Sequence, residues 1–415
     1  MRAFTSPRIE RAVDPLFDLL READGRERCF VLVPDRYTQT FEEQILRRTG
    51  KTVTFTTEVF SFSRLLYRLK KREDRSFLSR EQGVMVLKKL IADRQGDLRS
   101  YRRSALTRNF ADTLYDLLQK LRLEGFDFER ALSLPLREPL RRRLEDIALL
   151  DRAYRDFLAD GWVDAPDLLA ELPALCGQLK DTRVFLAGFS QFSKAERAVI
   201  ASFLQNAAGV DLFCARKEGG PAALNEVFFQ VRALCQKLDQ PFEEIEVPQD
   251  PDPLREKLEG FLWEGVTAPV ICEGRLSLFA AESREAQMRE LARRIRLLTH
   301  AEGVRFREIA LLFPSPQTVR TELTRVFSEY GIPCFFDRKI PLRTHPAARF
   351  ALALLAAAER SDSANIFRLV KNPCFGADPD QTDAFENAAR MLGTEYGGFF
   401  RPFPEDVGEE AEAVR

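Results

Sequence analysis

The sequence predicts an α/β protein in which two parallel-sheet domains follow one another, each interrupted by an inserted block of helices. Three observations predict it. Short β-rich apolar runs alternate with helix-period segments between residues 29 and 69, and the alternation returns at 179–239 and again at 276–342. Residues 77–172 and the stretch after 345 instead carry nearly pure helical spacing. The resulting boundaries are 1–75 and 179–239 for the first sheet domain, 76–178 for its helical insertion and 240–275 for a linker. Residues 276–342 then begin the second sheet domain and 343–415 its own helical insertion.

Residues 2–4 read as a short first strand, and residues 9–20 as a helix with Ala12, Leu16, Leu19 and Leu20 inward. The organising stretch is CFVLVPDRYTQTFEEQILRRTGKTVTFTTEVFSFSRLLYRL at 29–69. Its first strand, 29–33, ends at Pro34-Asp35, and Thr40 with Glu43 has the spacing of a capping box for the next helix. A second strand is expected over 53–60. Ser61 can cap the helix after it, in which Phe62, Leu65, Leu66 and Leu69 share one face and Arg64, Tyr67 and Arg68 point elsewhere. The helical insertion includes an Arg-rich stretch, LREPLRRRLED, which reads as a solvated helix face. Strands resume at 182–189 and 210–215, with Ser193 and Glu196 a second capping box and a helix near 224–238. The proline-rich, acidic stretch 240–273 holds one short amphipathic piece near 254–263. The second unit reads as strand 277–283, helix, strand 308–315, helix and strand 333–337, then helices and an acidic tail at 397–415.

A formal net charge of −1, from 63 Lys+Arg against 64 Asp+Glu, confines any nucleic-acid surface to a local patch. The N-terminus MRAFTSPRIER has no apolar signal core, and no apolar run approaches a membrane span, so no membrane partner and a cytoplasmic location are expected. Seven cysteines, at 29, 176, 214, 235, 272, 334 and 374, form no CxxC pair, and His300 and His345 are the only histidines. That set suits reduced, buried thiols and offers little to a zinc or histidine-based site.

In an open α/β sheet, ligands sit beyond the carboxyl ends of the strands. Arg36, Tyr37, Thr38, Phe62 and Arg64 fall there. Guanidinium and hydroxyl groups suit phosphates and aromatic faces suit bases, so the cluster suits a single-stranded nucleic acid. Each residue taken singly also reads as a core aromatic or a solvated charge.

The arrangement resembles two RecA-like (P-loop NTPase-type, superfamily 1 helicase-like) parallel-sheet domains with inserted helical domains. ATP chemistry in that layout needs GxxxxGK[ST] after the first strand, and the turn here reads TSPRIER. Gly50-Lys51-Thr52 precedes a strand rather than a helix, so it is no substitute. The strand that should end in a metal-binding and a water-positioning acid reads FLAGFSQF, with Gly188 and Phe189 at those positions. No GxSxG or HExxH is present.

Several segments, in order, resemble the N-terminal part of the AddB (RexB) family, whose members pair with a motor protein in bacterial AddAB-type ATP-dependent helicase–nucleases. They are VLVPDRYTQTFEEQIL at 31–46, TTEVFSFSRLLYRL at 56–69, FLAGFSQFSKAE at 185–196, REAQMRELARRI at 284–295, IALLFPSPQTVRTELTRVFSEYGIPCFFD at 309–337 and HPAARFALALLAA at 345–357. The resemblance implies a helicase-like subunit without catalysis of its own. It would pair with an AddA-type helicase–nuclease motor subunit, process double-strand breaks for recombinational repair and bind the exiting single strand of DNA. It further implies a groove that reads a hotspot sequence, for which the matching positions are Arg36, Thr38, Phe62, Arg64, Tyr67, Phe189 and Phe192. No catalytic, nucleotide-binding or metal-binding residue is expected here, because the family's iron–sulfur cluster and nuclease magnesium belong to its C-terminal nuclease part. This chain has Arg36 where some members have Gln, has Tyr67 where some have Trp, and lacks the GSGKT loop of many members. An active ATP-dependent helicase domain and a structural adaptor for the motor subunit are the alternatives.

Overall fold

The computed structural model describes residues 1–23, 25–70, 75–107, 109–249, 252–263, 274–336 and 342–401. They form two compact units, Met1–Leu276 and Ser277–Arg415. The first unit opens with β1 (Arg2–Ser6), α1 (Ile9–Ala23), β2 (Arg28–Leu32), α2 (Thr38–Thr49), β3 (Thr57–Phe60) and α3 (Phe62–Leu69). The helical block follows as β4 (Ser76–Phe77), α4 (Arg80–Asp93), α5 (Phe110–Leu123), α6 (Phe128–Ser133), α7 (Glu138–Ala159), β5 (Trp162–Val163) and α8 (Ala165–Leu175). The chain then returns through β6 (Thr182–Ala187), α9 (Lys194–Asn206), β7 (Gly209–Ala215), α10 (Ala222–Lys237), β8 (Glu243–Glu246) and α11 (Pro253–Trp263).

Six strands form one parallel sheet in the order β3-β2-β6-β7-β1-β8, and β4 pairs with β5 apart from it. Both faces of the main sheet are covered, which is why its central strands are apolar throughout rather than alternating. Phe30, Leu32, Val184, Leu186 and Leu212 face a core shared with α3, α8, α9 and α10, whereas Cys29, Val31, Phe185 and Phe213 face the core with α1 and α2.

Three local expectations are corrected. The box of Thr40 with Glu43 does not form, because α2 begins at Thr38 after a 3-10 turn, Asp35–Tyr37, and Thr40 lies inside the helix; Glu43 accepts from Gln39 instead. The strand expected over 53–60 is only Thr57–Phe60, because β2 offers partners only for those four residues and the Thr54 hydroxyl folds back onto the Thr57 carbonyl at 3.0 Å. Within the expected linker, Glu243–Glu246 pairs with β1 as the outer strand β8; its three glutamates hid it by depressing its β-propensity, while charge on an edge also blocks further pairing. Gly50 ends α2 with a φ of +72°, a left-handed cap.

In the second unit, α12 (Arg284–Ala301), α13 (Pro316–Glu329), α14 (Pro346–Glu359), α15 (Ser363–Val370) and α16 (Pro379–Met391) are helical. The strands expected at 277–283, 308–315 and 333–337 are not paired into a ladder among the described residues. Ile309, Leu311 and Phe313 do pack on α12 and α13 with strand-like alternation, but Leu312 between them is 94% exposed. One face is covered and no backbone pairing follows. The last of these segments runs into residue 337, and the acidic tail runs past 401; both ends lie outside the described residues.

Within the helical block, Arg122 on α5 is buried against two carboxylates. It donates to Asp164 Oδ2 at 2.6 Å and to Asp167, while Gln119 donates to the same Asp164 oxygen at 2.9 Å. Replacing Arg122 by Met leaves a fully buried Asp164 without its counter-charge, so urea denaturation is expected to show a loss of about 3–5 kcal/mol.

Asp151 on α7 is also buried, and burial pushes its carboxyl above the ordinary 3.8 despite the nearby Arg155. A carboxyl raised in the folded state contributes stability below its unfolded value and loses it as pH rises through the folded value. The stability of Asp151→Asn relative to wild type should therefore increase as pH climbs from 3.8 toward neutrality; a difference independent of pH would contradict this.

Candidate functional site

The site is built where three neighbouring strands end. Leu32 of β2 is level with Phe60 of β3 and with Leu186 of β6, so the turns after these strands begin at one height on one edge of the sheet. After β2, Pro34 leads into the 3-10 turn Asp35–Tyr37. After β3, Ser61 caps α3 by accepting from the Arg64 amide at 3.4 Å. Its hydroxyl also meets that of Ser63 at 2.9 Å, and Ser63 donates to Asp35 Oδ1 at 3.1 Å, tying the two turns together. After β6, Gly188 takes a φ of +77°, which favours glycine; a Cβ there would find only ordinary contacts, so the backbone conformation sets the requirement.

A cleft of about 720 Å³ opens between these turns and the helical block. Phe62 and Phe189, ring centroids 5.6 Å apart, and Leu66 line the sheet side, with Tyr67 at the surface. Phe77, Leu123, Leu168 and Leu169 line the opposite wall. The polar lining includes Asp35, Glu124, Glu196 and several serines, and among the described residues that line the cleft none is Lys, Arg or His.

The structure brings together Phe62, Tyr67 and Phe189 of the expected site residues. Phe192 lies behind them, buried, 4.8 Å from Phe189 between ring centroids. Thr38 is buried and its hydroxyl donates to the Asp35 carbonyl at 3.1 Å, so it shapes the turn and does not line the cleft. Arg36 is exposed on the 3-10 turn, one residue past Asp35. Arg64 is exposed on the α3 face it shares with Arg68, and Arg68 is held by Glu58 at 2.9 Å. Sequence reasoning missed the wall supplied by Phe77, Leu123, Leu168 and Leu169, because no local pattern tells a residue buried within a helical block from one facing another element.

The nucleotide-related positions are equally plain. Between the end of β1 at Ser6 and the start of α1 at Ile9 only Pro7 and Arg8 remain, too short a turn to wrap phosphates. Gly188 and Phe189 follow the end of β6. Among the described thiols, Cys176 donates to the Leu172 carbonyl at 3.2 Å, Cys235 lies beside Met1, and burial pushes Cys176 up to about 11 and Cys214 up to about 12, the behaviour of packed core thiols.

Residues 10–261 match the family model described as ADDB, N-terminal, which is more than half of the chain. The chain belongs to the AddB family. Its AddB relatives include the B-type subunit of the ATP-dependent helicase/deoxyribonuclease of Pelotomaculum thermopropionicum, 28% identical over 86% of this chain and 33% of that protein. The proteins of the same name from Heliobacterium modesticaldum and Desulforudis audaxviator are each 29% identical, over 86% and 89% of this chain and 32% and 34% of their own lengths. The chain thus spans about a third of the length of these AddB relatives. No helix among the described residues is long and apolar enough to cross a membrane.

Proposed function

We propose that this chain is the single-strand-binding, ATPase-inactive part of a helicase–nuclease subunit that processes double-strand DNA breaks for recombinational repair. In this reading it works in the cytoplasm beside an AddA-type motor subunit, and its cleft reads sequence in the exiting strand. The observation that carries the reading is the aromatic cleft at the carboxyl edge of β3, β2 and β6, with the exposed Arg36 on the turn after β2 and the exposed Arg64 on α3. Stacking on such rings contributes roughly 1–3 kcal/mol per base, and guanidinium groups outside the cleft can neutralise the backbone. The names of the relatives supply the helicase–nuclease context.

Phe62 is only 6% exposed, so its removal would damage the core as well as the cleft. Tyr67, 57% exposed, is the cleaner probe. Fluorescence anisotropy with a labelled single strand should show saturable binding that Tyr67→Ala weakens without changing its salt dependence. Arg64→Ala should instead lower the magnitude of the salt slope by ~0.7. Absence of saturable binding at low salt would favour the adaptor reading.

The two-residue turn after β1 and the Gly188-Phe189 pair after β6 support the lack of ATP hydrolysis. Steady-state phosphate release with magnesium and single-stranded DNA should stay at background. Turnover within the ~1–100 s⁻¹ common for phosphoryl transfer would overturn this part of the reading.

A further inference from the structure

The helical block carries a basic surface that the cleft does not use. Residues 99–103 and 141–146 together hold six arginines against two acids, in a chain whose formal net charge is −1, and none of these residues lines the cleft. The positive charge is local.

The first of these stretches is a loop with a fixed backbone. Asp146 on α7 is buried and accepts from the Arg99 amide at 2.9 Å through Oδ1 and from the Ser100 and Tyr101 amides at 2.7 and 2.9 Å through Oδ2. Gln95 donates to the Arg102 carbonyl at 3.2 Å, and Leu98 and Ala105, at the two ends of the loop, are buried in the core of the block. Arg102 and Arg103 stand exposed between these anchors, and neither has an ion pair among the described residues.

A third cation comes from α7. Arg143 shares a helix face with Asp146, Ile147 and Leu150; those three are buried, and Arg143 is exposed one turn before Asp146, again with no ion pair among the described residues. The other arginines here are engaged. Arg99 lies 3.5 Å from Glu145, Arg142 pairs with Glu138 at 2.7 Å, and Arg141 donates to the Leu132 and Leu134 carbonyls.

We propose that Arg102, Arg103 and Arg143 form a contact surface for the phosphate backbone of duplex DNA. Adjacent like charges repel, and a polyanion laid across them relieves that repulsion while releasing its own counterions. The loop is already ordered, so binding need not fold it. The aromatic rings at this loop, Tyr101 and Phe110, pack on each other with centroids 5.3 Å apart and are half-buried in the core, so the surface offers charge without a stacking platform. That favours a duplex, whose bases are already stacked, over a single strand, which gains affinity by stacking on exposed rings. The choice of DNA as the polyanion rests on the proposed function, whereas the surface is separate from the cleft.

Fluorescence anisotropy on the full chain, with a labelled blunt duplex and with a labelled oligothymidine strand, tells the two surfaces apart. Duplex binding is expected to saturate at low salt, and Arg102→Gln combined with Arg103→Gln should lower the magnitude of its salt slope by about 1.8, at about 0.9 per contact. Adding Arg143→Gln should lower it by about 0.9 more. Lysine at the same positions should keep most of the slope, because a backbone contact needs the charge rather than the guanidinium fork. Single-strand binding should be nearly unaffected by these changes, and Tyr67→Ala should leave duplex binding unchanged. A duplex that does not bind at low salt, or a slope that the triple variant leaves intact, would overturn the proposal. Equal losses for duplex and single strand would overturn the assignment to a duplex, and polyglutamate competing as well as unlabelled duplex would overturn nucleic acid as the partner. Duplex binding as expected beside a single strand that fails to bind would overturn the single-strand reading alone.

Discussion

The structure depends on the parallel register of β3, β2 and β6. Leu32 pairs with Phe60 on one side and with Leu186 on the other, so three chains leave the sheet at one level. A slip of one residue in either pairing would exchange the faces of a strand, sending Phe30 and Leu32 from the core of α3, α8 and α9 to that of α1 and α2. Burial on both faces makes that exchange costly everywhere along the strand. The cleft inherits its precision from this constraint, because the turns holding Asp35, Ser61 and Gly188 are each one or a few residues beyond a fixed ladder.

The charges are distributed unequally about those turns. Acceptors face inward at Asp35, Glu124 and Glu196, while Arg36 and Arg64 are exposed on the turn and helix that supply Asp35 and Ser63. Such a division keeps the positive charge of these two arginines outside the cleft, where it does not neutralise the carboxylates that line it. Arg68 shows the contrast: it lies on the same helix face as Arg64 but is occupied by Glu58 of the edge strand.

Where structure follows local rules it was legible. The spacing of Phe62, Leu65, Leu66 and Leu69 gave the buried face of α3, Ser61 its cap, and Ser193 with Glu196 the capping box of α9. The same motif failed at Thr40 and Glu43, because a 3-10 turn started the helix earlier and a capping box has meaning only at a helix start. The outer strand β8 depends on a partner distant in sequence that the acids of Glu243–Glu246 do not specify, and the alternation of Ile309, Leu311 and Phe313 marks a covered face without a ladder among the described residues. For the cleft, the aromatic residues at the sheet edge were legible as a group. The opposing wall was not, since Phe77 and Leu168 become lining only once the helical block folds back.

That folding back gives the helical block its part in the cleft. Leu168, Leu172, Cys176 and Leu179 join the same core as Phe62, Leu65 and Phe203, so α8 belongs energetically to the sheet domain although it ends the inserted block. Arg122, one residue before the lining residue Leu123, is buried against Asp164, one residue before the lining residue Ala165. A well-packed apolar trio could hold α5 to α8 as strongly, because desolvating ions consumes most of their attraction. What the ionic contact adds is direction: a guanidinium meeting two carboxylates admits one relative placement of the helix ends, whereas apolar side chains tolerate several. The width of the cleft is therefore set by a buried charge pair on one side and by strand register on the other.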